Sequence, residues 1–208
     1  MKQYLLFFIF TIVSTFTFAQ ETKLHNRIGM RDSRYLQYEY TIGRHVPLML
    51  EHSIYSDKLK LQHFRVAAGY TNDFLRSHLH TDFRAYAGGI WRGNYHDFGA
   101  FLTLGYRFDT RQRYQLSATL NPHYDTGLDY KTCVSALALV GMNDVFSIVA
   151  EFTNIPEFRQ SDDRIRFGVD IHFASTRYGW LSVRPLLSVP LGQRYEKVRV
   201  HVNFDYAF

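Results

Sequence analysis

The sequence predicts an all-β chain, an antiparallel up-and-down barrel that crosses a membrane with twelve strands, and three observations carry that prediction. From about residue 24 onward the chain falls into units of roughly ten residues that alternate apolar and polar side chains, the period-two signature of strands with one oily and one wet face. Aromatic residues make up 17% of the sequence, with 15 Tyr and 18 Phe, more than a soluble core of this size requires and suited to interfacial girdles. After the amino-terminal segment, no apolar run approaches the roughly 18 residues of a spanning helix. The oiliest piece, Val134 to Met142, is short and is broken by Ser135 and Gly141.

The amino terminus reads as a secretory signal over residues 1–19. Met1-Lys2-Gln3-Tyr4 supplies one positive charge, Leu5 to Val13 an apolar run too short to be a lasting anchor, and Ala19 a small residue before the expected cut. Gln20 stands where a lipoprotein would need Cys, so acylation of the new terminus is not expected. Residues 20–208 form a single barrel domain. Loss of Lys2 with the signal lowers the formal charge of +5 to +4. The one cysteine, Cys133, falls inside a strand unit, so no intramolecular disulfide can form, and it reads as a small apolar filler.

In chain order the strand units are Leu24 to Arg31, Tyr35 to Gly43, Leu48 to Tyr55, His63 to Tyr70, Phe83 to Arg92 and Phe98 to Phe108. They continue with Arg113 to Pro122, Thr132 to Val140, Val145 to Thr153, Arg164 to Phe173, Leu181 to Val189 and Lys197 to Phe208. Turn chemistry separates them. The clearest outward faces are Phe98, Ala100, Leu102, Leu104, Tyr106 and Phe108; then Ile165, Phe167, Val169, Ile171 and Phe173; then Leu181, Val183, Pro185, Leu187 and Val189. Twelve units of about ten residues leave room for tight connections. Fusion of Leu24 to Gly43 into one strand, with one further merger, gives ten strands; eight would need connections longer than the sequence offers.

The last unit alternates without a break. Val200, Val202, Phe204, Tyr206 and Phe208 share an apolar face, and His201, Asn203 and Asp205 lie on the other. This pattern resembles the terminal assembly signal of bacterial outer-membrane β-barrel proteins, whose final strand ends in Phe. With the signal segment and the alternating strands, the chain is similar to a small porin-like barrel of that group. The resemblance implies a bacterial outer-membrane location, and as partners the outer-membrane lipid, the β-barrel assembly machinery and periplasmic chaperones.

Such barrels keep both termini in the periplasm, with short turns there and longer loops outside. On that rule Gly192 to Glu196, Asn154 to Asp163 and His123 to Tyr130 are outer connections, and Ser175 to Gly179, Gly141 to Asp144 and Asp109 to Gln112 inner ones. Thr71 to Asp82 departs from the rule, a long connection on the inner side.

The same register turns Arg65, Arg107, Arg164, Arg166, Arg184 and Arg199 inward, with Glu151, Asp170, Asp205, His172 and His201. Of these, Arg65, Arg107, Glu151, Arg164, Arg166, Asp170, Arg184 and Arg199 are the expected pore lining. Six arginines against three carboxylates predict a narrow passive pore with anion preference, since fixed positive charge on a low-dielectric wall concentrates anions. In size and arginine lining this is similar to the twelve-stranded porins for acidic oligosaccharides, with no shared motif. The alternative is a closed barrel whose arginines are neutralised by their neighbours, serving structure or surface contact.

A third reading, an outer-membrane lipid-modifying hydrolase, has little to rest on. Glu51-His52-Ser53 and Ser77-His78-Leu79-His80 gather suitable residue types, but adjacent strand residues point to opposite faces. His78 and His80 share a face and lack further ligands for a metal. No phosphate loop, paired-Cys spacing or nucleic-acid signature occurs, and no cofactor is expected. Asn154 to Asp163 is the best candidate for a surface contact and reads as a solvated loop.

Overall fold

The computed structural model of the chain describes residues 26–53, 62–75, 78–90, 93–108, 114–127, 129–155, 163–175, 179–192 and 198–208. The signal segment expected over 1–19, Leu24, Ser77 and most of the Asn154 to Asp163 loop lie outside them. Twelve strands follow in order: β1 (Asn26–Arg31), β2 (Tyr35–Ile42), β3 (Val46–Ser53), β4 (His63–Phe74), β5 (Leu79–Ile90), β6 (His96–Arg107), β7 (Tyr114–Asp125), β8 (Asp129–Gly141), β9 (Phe146–Thr153), β10 (Arg164–Ser175), β11 (Gly179–Pro190) and β12 (Arg199–Ala207). Each pairs antiparallel with its sequence neighbours, and β1 pairs with β12 to close the barrel. Closure leaves no row of unpaired backbone groups, the condition for a sheet in hydrocarbon.

β1 and β2 are separate strands, so the ten-strand arrangement does not occur. Asp32 and Ser33 between them have φ of 56° and 54°, and the Arg34 amide donates to the Arg31 carbonyl at 3.1 Å. Two consecutive positive φ values, spanned by that hydrogen bond, make a tight turn within the three-residue connection 32–34.

The expected long connection from Thr71 to Asp82 is corrected. β4 and β5 pair from His63 opposite Ile90 to Phe74 opposite Leu79, and only residues 75–78 join them. Alternation fails here because the outward residues Asn72 and Thr81 are polar. They face each other, and Thr81 Oγ1 donates to the Asn72 carbonyl at 3.2 Å. With this strand extended, the short-turn rule holds at the end that carries the termini. The expected His123 to Tyr130 loop also shrinks, since β7 runs to Asp125 and β8 begins at Asp129.

Pro122 and Pro185 sit inside β7 and β11 without an N–H to give the ladder. The registered pairs are interrupted beside each, between Gly99–His123 and Leu102–Leu120 on the β6 side of Pro122, and between Gly168–Leu186 and Ile171–Val183 on the β10 side of Pro185. At both gaps the neighbouring strand carries glycine: a Cβ at Gly99 would meet the Pro122 carbonyl, and one at Gly168 the Pro185 carbonyl. The strand faces follow the expected register. Val66, Phe98, Leu104, Phe167, Phe173 and Val200 are exposed on the outside, while Glu51, Asn121, Asp170 and His201 are buried within.

Candidate pore interior

The barrel interior is built from the wet faces of all twelve strands, and its two ends differ. At the end far from Asn26 and Phe208, charged and aromatic side chains interlock. Arg65 on β4 gives Nη1 to Glu51 Oε1 at 3.1 Å, and gives Nε and Nη2 to Asp97 Oδ2 at 3.1 and 2.5 Å. His63 Nε2 lies 2.7 Å from Asp97 Oδ1. The Arg65 guanidinium also covers the Tyr86 ring, 4.5 Å from its centroid. Tyr86 hydroxyl lies 2.7 Å from His123 Nδ1, and His123 Nε2 lies 2.9 Å from Asp125 Oδ2.

Tyr95, in the connection before β6, packs against this cluster with its ring at 72° to that of His63, centroids 5.7 Å apart. Burial, with Asp97 and Asp125 nearby, holds its hydroxyl well above the usual tyrosine range, so it stays neutral. The β1–β2 turn also tucks in. Asp32, 1% exposed, lies 3.0 Å from Arg166 Nη1, and its backbone N–H donates to Asn203 Oδ1 at 2.6 Å. Arg65, Arg166, Asp32, Glu51 and Asp97 are tolerated at such depth because each has an opposite charge at contact.

Across the barrel, Leu139, Val149 and Leu186 form a small apolar cluster with Leu137. These inward positions on β8, β9 and β11 narrow the interior from that side. The interior also holds a cavity of about 310 Å³, which Glu51 of the charged cluster helps to line. Its charged lining comprises Arg27, Arg31, Arg84 and Arg166 with Glu39, Glu51, Asp82, Glu151 and Asp205. Arg27 meets Asp205 through Nε and Nη2, both at 2.8 Å. Arg84 meets Asp82 at 2.7 Å and also Glu39. On β6 to β9 the lining changes to hydroxyls, with Thr103 and Thr119 hydrogen-bonded at 2.9 Å and Ser135 Oγ donating to Glu151 at 3.1 Å.

Arg166 and Glu151 are the two expected lining residues that reach this cavity. Arg65 and Arg164 are buried in the far half. Arg107 lies near the opposite end, 3.5 Å from Asp73. Arg184 gives Nε and Nη2 to Asp170 at 3.2 and 2.5 Å, and Ser182 donates to the same carboxylate. Arg199 stands opposite Ser188 at the start of β12. His172 reaches Asp170 at 3.4 Å, and His201 Nδ1 lies 3.1 Å from the Asp32 carbonyl.

More acids face inward than Glu151, Asp170 and Asp205. Glu39, Glu51, Asp73, Asp82, Asp97 and Asp125 are inward too, and they offset the arginines. Glu51 was legible, since it follows the outward Leu50 by one residue. Asp82 fell in the presumed loop, and Asp97 and Asp125 just outside the presumed strand ends.

The triplet Glu51-His52-Ser53 splits as the alternation requires. Glu51 and Ser53 are buried inward, while His52 lies against Phe64 with ring centroids 4.4 Å apart. His78 Nδ1 lies 2.7 Å from the Arg107 carbonyl and His80 Nδ1 2.7 Å from Asp73, so the two rings serve different neighbours.

No protein-family model and no curated protein matches the chain. Among solved structures, a KdgM porin in complex with disordered oligogalacturonate aligns with a TM-score of 0.61 at 11% identity, covering 88% of this chain and 97% of that one. A second KdgM porin structure aligns with a TM-score of 0.60 and the same identity and coverage. At that identity the likeness is one of fold: the chain has the barrel fold of the KdgM porins, closed here by twelve antiparallel strands.

Proposed function

We propose that the protein is a narrow passive pore of a bacterial outer membrane that admits small polar solutes. The observation that carries this reading is the cavity of about 310 Å³, lined mostly by charged and polar residues, inside a closed barrel whose outer face is apolar. An oily exterior suits lipid, and a wet interior with room for a solute suits passage. The location implies the outer-membrane lipid, the assembly machinery and periplasmic chaperones as partners, and it puts the far end outside the cell.

The charge preference proposed for the pore is a slight one, toward anions. Paired carboxylates cancel most of the arginine field. Two guanidinium groups of the lining are more accessible than the acids they bind: Arg27 and Asp205 are 41% and 24% exposed, Arg31 and Glu51 27% and 1%. Arg166 and Glu151 run the other way, at 6% and 17%, so the wall offered to a solute is only slightly positive on balance.

Liposome swelling tests the reading. Vesicles carrying the purified protein should swell faster than empty vesicles in small isosmotic solutes, and no faster in a trisaccharide. A second reading, a closed barrel serving structure, is favoured by the ion-paired far half, where Glu51, Arg65 and Asp97 are nearly inaccessible. Swelling indistinguishable from that of empty vesicles would decide for it.

A further inference from the structure

We infer that the cavity binds one uncharged polyhydroxylated solute, a single sugar or polyol, in preference to its acidic or amino counterpart. Solute access to the site rests on the pore reading above; the binding chemistry comes from two unlike walls.

The first wall is made of charge pairs that are already satisfied. Arg27 and Asp205 share two contacts at 2.8 Å, and Arg84 is held by Asp82 and Glu39. A guanidinium has five N–H donors and a carboxylate about four acceptor sites, so each pair keeps spare capacity after its partner is bound. A hydroxyl both donates and accepts. It can bridge a carboxylate oxygen and a guanidinium N–H of the same pair while leaving the pair intact. A solute carboxylate can use only the guanidinium N–H groups and an ammonium only the carboxylate oxygens, and either then lies beside the like charge of the same pair. The lining sets four arginines against five carboxylates, so the slight excess of positive surface offered by Arg27 and Arg31 does not repay an anion for its lost hydration.

The second wall is neutral apart from Glu151, which Ser135 holds. The Thr103 and Thr119 hydroxyls, 2.9 Å apart, and Ser135 present groups that match a solute hydroxyl in both roles. Phe101 and Met49 add apolar surface to the same lining, against which the C–H faces of a ring can rest. The volume lies at the lower end of the roughly 300–1,000 Å³ typical of ligand sites. It suits one small molecule and excludes a chain.

Saturation-transfer NMR on the full-length barrel in detergent, with glucose, glucuronate and glucosamine as probes, tests this directly. Glucose should give a saturable signal and compete with the other two, which should bind about tenfold more weakly. Thr103→Val with Thr119→Val should weaken glucose about tenfold while heat-modifiable gel migration reports an intact barrel. Ser135→Ala provides an independent variant should the double one misassemble, with a smaller loss in the same direction. Glucuronate or glucosamine binding as tightly as glucose overturns the inference, as does the absence of a saturable glucose signal from the folded protein. Bilayer conductance of the same sample separates the two readings. Conductance without glucose binding removes this inference and leaves the pore; glucose binding without conductance removes the pore and leaves the site.

Discussion

Arg65 and Asp97, on strands not adjacent in the sheet, meet inside the barrel through Nε at 3.1 Å and Nη2 at 2.5 Å. Because Arg65 also holds Glu51, its removal takes a buried counter-charge from two carboxylates at once, leaving Glu51 to Arg31 and Gln37 and Asp97 to His63. Arg65→Met should cost about 3–5 kcal/mol, the usual penalty for breaking a buried pair from one side. Urea unfolding in detergent micelles, followed by loss of heat-modifiable migration, reads the change. A shift below about 1 kcal/mol would mean that the far half is far wetter than its burial implies.

Gly168 and Gly99 are predicted to resist side chains. Each lies against a proline carbonyl of the next strand, backbone that cannot step aside as a flexible side chain would. Gly168→Ala and Gly99→Ala should each destabilise the barrel by about 1–3 kcal/mol. Gly192→Ala, where nothing lies within 4 Å, serves as the comparison and should change stability by less than about 1 kcal/mol. Equal effects at all three sites would contradict the close approach.

The strand faces can be tested at two adjacent residues of β10. Ile171 pairs with the outward Val183, and His172 with the buried, inward Ser182. A spin label at Ile171 should be quenched by oxygen in the lipid, and one at His172 by a water-soluble nickel complex. Equal access at the two positions would mean that the alternation has been misassigned. By the same register, Val169→Arg, on the outward face near the strand centre, should cost about 2–4 kcal/mol.

Strand number and facing were legible because lipid outside and water or ion pairs inside impose a period of two on every strand. Val200, Val202, Phe204, Tyr206 and Phe208 illustrate how little else is needed. The signal weakens where a strand leaves the apolar zone. Asn72 and Thr81 are outward and polar, so the ends of β4 and β5 look like a loop. The interior was legible only as a set of faces. That Arg65 joins Glu51 to Asp97, or that Asp32 reaches Arg166, depends on side chains brought together from strands distant in sequence. Alternation says which way a residue points and nothing about its partner across the barrel.

The closing seam rests on few bonds. β1 and β12 register over Arg27–Met30 and Phe204–Ala207, and the last contacts are reciprocal: Phe208 N–H to the Asn26 carbonyl at 2.9 Å, and Asn26 N–H to the Phe208 carbonyl at 3.1 Å. Phe208 also stacks on Tyr206, with centroids 5.3 Å apart. Deleting Phe208 should cost about 1–3 kcal/mol through the two lost hydrogen bonds. Refolding into micelles would show the loss as a smaller heat-modifiable fraction. Phe208→Tyr, which keeps ring and backbone, should refold as the parent does; a deletion that refolds equally well would contradict a role in closure.

Planar-bilayer recording of the purified protein tests the central proposal, a narrow passive pore, most directly. Steady, small, voltage-independent steps are expected. In a KCl gradient the reversal potential should show a slight anion preference, lost when Arg27 and Arg31 are changed to Gln. Silence across many confirmed insertions, or steps no different from those of protein-free membranes, would contradict the pore and leave a closed barrel.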